Sequence, residues 1–323
     1  MVSYSSVITV NFRIGEDFFD VFREGANLSS GNVSIALDID TPVVSLTPKS
    51  LEQAKVSVVR EWKPWTIVVS NECVMTYAGL LGIRKYRNDK PFGLVVCDQH
   101  LDIYAYDYCG TELNKATVIR KSLDDGLVDR VVFIGTRPSE EACYRETDYP
   151  IPAHDRQYSA HIREDRILSG HEDKISIIPV YQFGTFSEGA MKAFFLLRAL
   201  GITDVGLMVD LDSFDSRRIR GVAYNSDYSA EIQDFITERI REKSKLPDLP
   251  VLKEIIEYLM FMESEISQPG IPPDNIGQEI SIVRDFLRSQ GMRLLYKGIT
   301  EYEPSRKDKA TKRLLEQIVR ALV

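Results

Sequence analysis

Residues 92–102 read Phe-Gly-Leu-Val-Val-Cys-Asp-Gln-His-Leu-Asp, and this stretch decides the fold. Its first six residues are apolar or small, with no polar alternation. That is how a parallel strand covered on both faces reads. Similar short runs rich in β-branched residues recur at 33–37, 66–69, 131–134, 175–180, 205–209 and 294–299. Between them, 50–61, 188–200 and 279–290 carry apolar residues at helical spacing, and Gly201 offers a stop for the second. Strand and helix alternate through most of the chain, which predicts a doubly wound α/β sheet.

Composition removes several classes of function. The chain has 323 residues, of which 44% are hydrophobic and 27% charged, ordinary values for a globular protein. Its net charge of −8 argues against a nucleic acid as partner. No run approaches the ~18 apolar residues of a membrane-spanning helix; the longest candidate, 255–262, contains Glu257. The N-terminal stretch lacks a basic region and a small-residue cleavage site, so a cytoplasmic location is expected. Cys73, Cys97, Cys109 and Cys143 form neither a disulfide framework nor a CxxC zinc pattern.

Two regions interrupt the alternation. Residues 137–173 are polar and hold His154, His161 and His171. Residues 230–266 are strongly helical around a Pro247/Pro250 break, and a Pro/Gly-rich loop follows at 268–277. The chain therefore reads as one α/β domain, 1–323, with a helical insertion at about 225–267.

In open parallel sheets, ligands sit beyond the carboxyl ends of the strands. The run 92–97 ends in Asp98, His100 and Asp102, spaced by two, so an extended backbone puts all three on one face. The run 205–209 ends in Asp210 and Asp212, with Asp215 three residues on. Either cluster alone is a weak signal, and Asp210-Leu-Asp212 by itself reads rather as turn formers or helix caps. Side by side they would crowd about five ligands into one crevice, and the repulsion calls for a bound cation. Carboxylates with one imidazole suit a hard or borderline divalent ion such as Mn²⁺, and two ions would form a dinuclear hydrolytic site.

The stretch Asp98-Gln-His-Leu-Asp102 resembles the DAHxD motif of the arginase/agmatinase/formimidoylglutamase (ureohydrolase) family. Residues 210–215, DLDSFD, resemble its DxDxxDP motif. The segment from Gly298 through Glu301, Pro304 and Asp308 to Thr311 is similar to the family's G-x-x-x-E-x-x-P-x-x-x-D…T, and the loop from Gly270 to its GTPxPGG loop. The resemblance implies a three-layer α/β/α arginase-like domain with a mainly parallel sheet. It implies two Mn²⁺ ions bridged by Asp98 and Asp210, with His100 and Asp212 completing one shell and Asp102 part of the other. Hydroxide would attack a guanidinium or formimidoyl carbon, releasing urea or an analogue. Glu301 stands where the family places the carboxylate that pairs with the substrate's guanidinium. A small guanidino or amidino substrate of agmatinase or arginase type and a trimeric or hexameric homo-oligomer are implied in the same way.

Three departures qualify this expectation. Cys73 stands where the family's first histidine ligand should be; as a thiolate it would favour Zn²⁺ or Fe²⁺, and otherwise it is a small buried residue. Asn114 replaces a histidine suited to proton transfer, a role an amide cannot fill, and stands as a candidate substrate-binding residue; each of His154, His161 and His171 either supplies the substitute or is an ordinary surface or loop histidine. The basic cluster Arg217, Arg218 and Arg220 follows Asp215, where it either receives an anionic substrate group or balances acidic neighbours. The alternatives to a ureohydrolase are a catalytically impaired homologue serving in binding or assembly, and a metal-dependent amidohydrolase of changed specificity.

Overall fold

The computed structural model describes residues 7–11, 33–36, 48–63, 66–70, 72–87, 89–104, 113–137, 171–215, 218–219, 270–302 and 308–323. Eight strands form one sheet: β1 (Val7–Asn11), β2 (Val33–Ala36), β3 (Ile67–Ser70), β4 (Phe92–Cys97), β5 (Arg130–Ile134), β6 (Ile175–Ile178), β7 (Asp204–Asp210) and β8 (Arg293–Thr300). Their order is β2-β1-β3-β8-β7-β4-β5-β6, and every pair is parallel. Seven of the strands fall on the runs legible in the sequence; β1 is additional.

Alternate strand residues enter different cores, which explains the unbroken apolar runs. Val95, Cys97, Val132, Ile134, Leu207 and Val209 pack on one face with α4 (Phe186–Ala199), α5 (Ile276–Ser289) and α6 (Lys309–Leu322). Leu94, Val96, Val131, Phe133 and Met208 pack on the other with α1 (Pro48–Glu61), α2 (Met75–Arg84) and α3 (Val118–Asp124). With helices on both faces, no central strand has a solvent side to mark with polar residues. The three-layer α/β/α expectation is met.

The helices α1, α4 and α5 match the helical stretches read from sequence, whereas α2, α3 and α6 were not assigned. In α2, Gly79 and Gly82 break the propensity pattern, yet a Cβ on Gly82 would meet the Trp62 ring at 2.7 Å. The glycine makes room for Trp62, which stacks on Tyr296 of β8 with ring centroids 6.0 Å apart. At α6, the Asp308 carboxylate accepts from the Ala310 and Thr311 backbone amides, an N-cap that gives part of the C-terminal motif a structural role. The expected helical insertion, His154, His161, Arg217 and Arg220 lie outside the described residues.

Candidate metal centre and active site

Strand order brings distant motifs together. The four neighbours β3, β8, β7 and β4 end, in that order, at Cys73, Glu301, Asp210–Leu211–Asp212 and the segment 98–102. All of these ends lie on one edge of the sheet because the strands are parallel. Cys73, Asp98, His100, Asp102, Asp210, Asp212 and Glu301 line one cavity of about 110 Å³, together with Tyr104, Lys115 and Ala116.

Backbone hydrogen bonds hold this edge in place. After β7, a single 3₁₀ turn (Leu211–Ser213) forms, and the Asp212 amide donates to Asp210 Oδ1 at 3.0 Å. Thr300, the last residue of β8, donates its hydroxyl to Asp210 Oδ2 at 2.8 Å. The His100 amide donates to Asp98 Oδ1 at 2.8 Å. Gln99 spans the strand ends: its amide nitrogen donates to the Asp212 carbonyl and its Oε1 accepts from Arg137. Tyr302 donates its amide to the Ser70 carbonyl at 3.4 Å, which joins the loop carrying Glu301 to that carrying Cys73. Below the turn, Gly270 (φ 89°) approaches so closely that a Cβ would lie 2.7 Å from the Ser213 carbonyl oxygen. The next residue, Ile271, then exchanges backbone hydrogen bonds with Ser213 and Asp215. Only glycine allows both the conformation and the approach.

Two of the cavity-lining carboxylates sit in strained backbone. Asp102 (φ 51°) and Glu301 (φ 62°) are in the left-handed region, a cost of about 1–3 kcal/mol each for a non-glycine residue. The Asp102 carbonyl accepts from the Ile119 amide at 3.1 Å, pinning that turn to α3.

Two groups of side chains have ligand atoms within 4.8 Å of one another: Asp98, His100 and Asp212, and Cys73, Asp210 and Glu301. In the first, His100 Nδ1 lies 3.1 Å from Asp212 Oδ2 and 3.5 Å from Asp98 Oδ1. In the second, Cys73 Sγ donates to Glu301 Oε1 at 3.4 Å. Burial, then the neighbouring Asp212 charge, pushes Asp98 up to about 6. Burial and the Asp98 charge hold Asp102 well above the carboxylate range; burial and Asp212 do the same to Asp210. Burial, then Glu72, raises Glu301 to about 8. Burial and the surrounding carboxylates also hold the Cys73 thiol well above its usual value. Burial opposes the His100 cation, but Asp212 more than offsets it and holds that pKa well above normal. Asp212 itself is buried, yet His100 brings it below the usual value.

These residues fit divalent metal ions. Asp102 Oδ2, Asp212 Oδ1 and Glu301 Oε2 are buried with no hydrogen-bond partner. Such oxygens are costly to bury unless something cationic meets them. Five carboxylates, an imidazole and a thiol around one cavity form a donor set for hard to borderline ions.

Two sequence expectations are corrected here. Asn114 is not among the residues lining the cavity: its Oδ1 accepts from the Ala116 amide at 2.8 Å within its own turn, and Lys115 and Ala116 face the cavity instead. An asparagine followed by a helix start readily spends its side chain on such a turn. His171 pairs with Asp124 at 2.6 Å and does not line the cavity. Arg218, from the basic cluster, is engaged by Asp274 through both guanidinium nitrogens. Tyr104, Lys115 and the Gln99–Arg137 clamp were not singled out from sequence, since none repeats or sits at a ligand spacing.

The fold and this ring of strand-end metal-capable side chains define an arginase-like α/β protein. The arginase-family sequence profile matches residues 13–224, and the chain belongs to that family. Members of the family are hydrolases, typically metal-dependent. Arginase from Bacillus caldovelox superposes with a TM-score of 0.59 at 12% identity, covering 99% of this chain and 98% of that one. Proclavaminate amidino hydrolase from Streptomyces clavuligerus gives 0.54 at 13% identity, covering 99% and 90%. The agmatine ureohydrolase of Thermoplasma volcanium gives 0.56 at 13% identity, covering 99% and 88%. At these identities the likeness is one of fold. No curated protein sequence matches the chain significantly. Among the described residues, no helix is long and apolar enough to cross a membrane.

Proposed function

We propose that the protein is a metal-dependent hydrolase of a C–N bond in a small guanidino or amidino compound, working with two divalent ions. The observation that carries this reading is the set of unpartnered, buried carboxylate oxygens on Asp102, Asp212 and Glu301, converging on one cavity with His100 and Cys73. A chain that had lost its metals would be expected to shed such groups, because an uncompensated buried charge costs several kcal/mol. Bound divalent ions supply Lewis acidity and a water-derived nucleophile at neutral pH.

The protein's own contribution is positional. Asp98, His100 and Asp212 would hold one ion and Asp210 the other, their ligand atoms falling in two separate groups, while Asp102 faces the same cavity. The Thr300 hydroxyl and the His100 amide fix the Asp210 and Asp98 carboxylates before any ion arrives, and Gln99 ties down the Asp212 carbonyl, which lowers the ordering cost of binding. Tyr104 and Ala116 wall the cavity. A proton for the leaving nitrogen does not come from Asn114, which is held in its own turn.

One observation favours a second reading, hydrolysis of an amide or an amidine with an anionic tail. Lys115 lines the cavity, and its charge partly offsets the burial and the neighbouring carboxylates that raise the Glu301 pKa. A lysine at the wall opposes a bare cationic guanidinium and welcomes a carboxylate.

The test is metal content by elemental analysis before and after loading with Mn²⁺, followed by a screen for urea, ammonia and amine release. About two ions per chain with urea release supports the first reading. Ammonia or amine without urea supports the second. Metal binding without turnover of any guanidino, amidino or amide compound would leave a binding or assembly role. In the active case Asp98→Asn abolishes turnover; unchanged turnover refutes the mechanism.

A further inference from the structure

We propose that Glu301 is a metal ligand, and that it forms with Cys73 and Asp210 a thiolate-containing site unlike its neighbour. This inference rests on the metal-dependent reading above and replaces the expectation that Glu301 pairs with a substrate cation.

The three residues end adjacent parallel strands, β3, β8 and β7, so the sheet itself sets their spacing. Their ligand atoms lie within 4.8 Å of one another, and Cys73 Sγ is 3.4 Å from Glu301 Oε1. For a tetrahedral ion with metal–sulfur and metal–oxygen bonds of about 2.3 and 2.1 Å, two ligand atoms sit roughly 3.6 Å apart. The sulfur–oxygen separation is therefore already that of two ligands sharing one ion. A guanidinium clamp needs both oxygens of the carboxylate turned to the substrate, whereas here one faces the sulfur. The other, Oε2, is buried without a partner, in a residue only 3% exposed. Glu301 also holds a left-handed backbone (φ 62°), a conformation that is costly for a non-glycine residue.

The other group, Asp98, His100 and Asp212, offers only oxygen and nitrogen. A sulfur ligand shifts preference toward Zn²⁺, Fe²⁺ or Co²⁺, while the oxygen-rich half suits Mn²⁺. The centre is thus built for two different ions, and recognition of the substrate passes to other groups on the wall, Lys115 and Tyr104 among them.

Cobalt substitution of the full chain tests this without recourse to turnover. After chelator treatment, Co²⁺ is titrated in and the near-ultraviolet sulfur-to-cobalt band is followed alongside the visible bands. The wild type shows the sulfur band; Cys73→Ser loses it and keeps visible absorption from the other site. Glu301→Gln weakens Co²⁺ binding at the sulfur site tenfold or more, and Glu301→Asp restores part of it. Zinc X-ray absorption on the wild type guards against a variant that fails to fold: a Zn–S shell at about 2.3 Å shows a thiolate ligand, and Cys73 is the cysteine that lines the cavity. Co²⁺ bound with no sulfur band and no Zn–S shell overturns the proposal and leaves a metal-dependent hydrolase intact. Unchanged cobalt affinity in Glu301→Gln returns Glu301 to the substrate. No Co²⁺ bound at all overturns both readings.

Discussion

Glu301→Gln should make the metal-free protein more stable and the metal-loaded protein less so. The side chains are nearly the same size, and Gln Oε1 can still accept from Cys73 Sγ. The orphaned Oε2 becomes an orphaned amide nitrogen, so the count of unsatisfied polar atoms does not change. What disappears is negative charge. Asp210 and Glu301 ligand oxygens lie within 4.8 Å, and at an effective dielectric constant of 20 two unit charges at that distance repel by about 3.5 kcal/mol. Proton uptake relieves part of this in the wild type, so a net gain of about 1–3 kcal/mol is expected in the variant. For a chain of 323 residues, that raises the melting temperature by about 2–4 °C. With metal at a hundred times its dissociation constant, the wild type gains about 2.7 kcal/mol per site while the variant gains less. Calorimetry of chelator-treated and metal-loaded samples of both proteins reads the crossing directly. If the metal-free variant melts below the metal-free wild type, the carboxylates are not under electrostatic stress and the reasoning fails.

Three further outcomes are expected. Thr300→Val removes the hydroxyl that donates to Asp210 Oδ2 at 2.8 Å; metal affinity should fall about 10–100-fold by isothermal titration, and an unchanged affinity would mean that Asp210 is held by the turn alone. Gly270→Ala forces a Cβ to 2.7 Å from the Ser213 carbonyl oxygen at φ 89°; urea unfolding should show a loss of about 2 kcal/mol or more, and a loss under 0.5 would show the loop free to move. Lys297 concerns pH. Burial, then Arg284, lowers its pKa to about 8, and its Nζ donates to the Leu322 carbonyl at 2.7 Å. Below pH 8 folded and unfolded chains both hold the proton, and the fold bears the cost of a buried cation. Between about pH 8 and 10.5 only the unfolded chain holds it, so stability should rise there by up to about 3 kcal/mol relative to Lys297→Met. A constant difference between the two proteins across that window would refute the assignment.

Much of the sheet is legible in the chain because β3, β4, β5 and β7 are covered on both sides, and burial on both faces leaves the same unbroken apolar signature wherever it occurs. Carboxylates at i and i+2 after β4 and β7 are equally legible, since an extended backbone repeats every two residues. The strand β1 was not, being five residues long with a threonine and an asparagine among them. Helix α2 was obscured by glycines whose purpose, room for Tyr296 at Gly79 and for Trp62 at Gly82, exists only once β8 is in place.

Composition and local pattern by themselves determined the α/β class, the two acid-rich strand ends and the resemblance to arginases, because each depends on residues close together in sequence. Tertiary structure alone decided which groups meet. Cys73 and Glu301 are 228 residues apart, and a hydrogen bond between them exists because β3 and β8 are neighbours in the sheet. The same step turned Asn114 away into its own turn and Lys115 toward the cavity. Side-chain direction at a loop is set by what the loop packs on, and no local pattern encodes that.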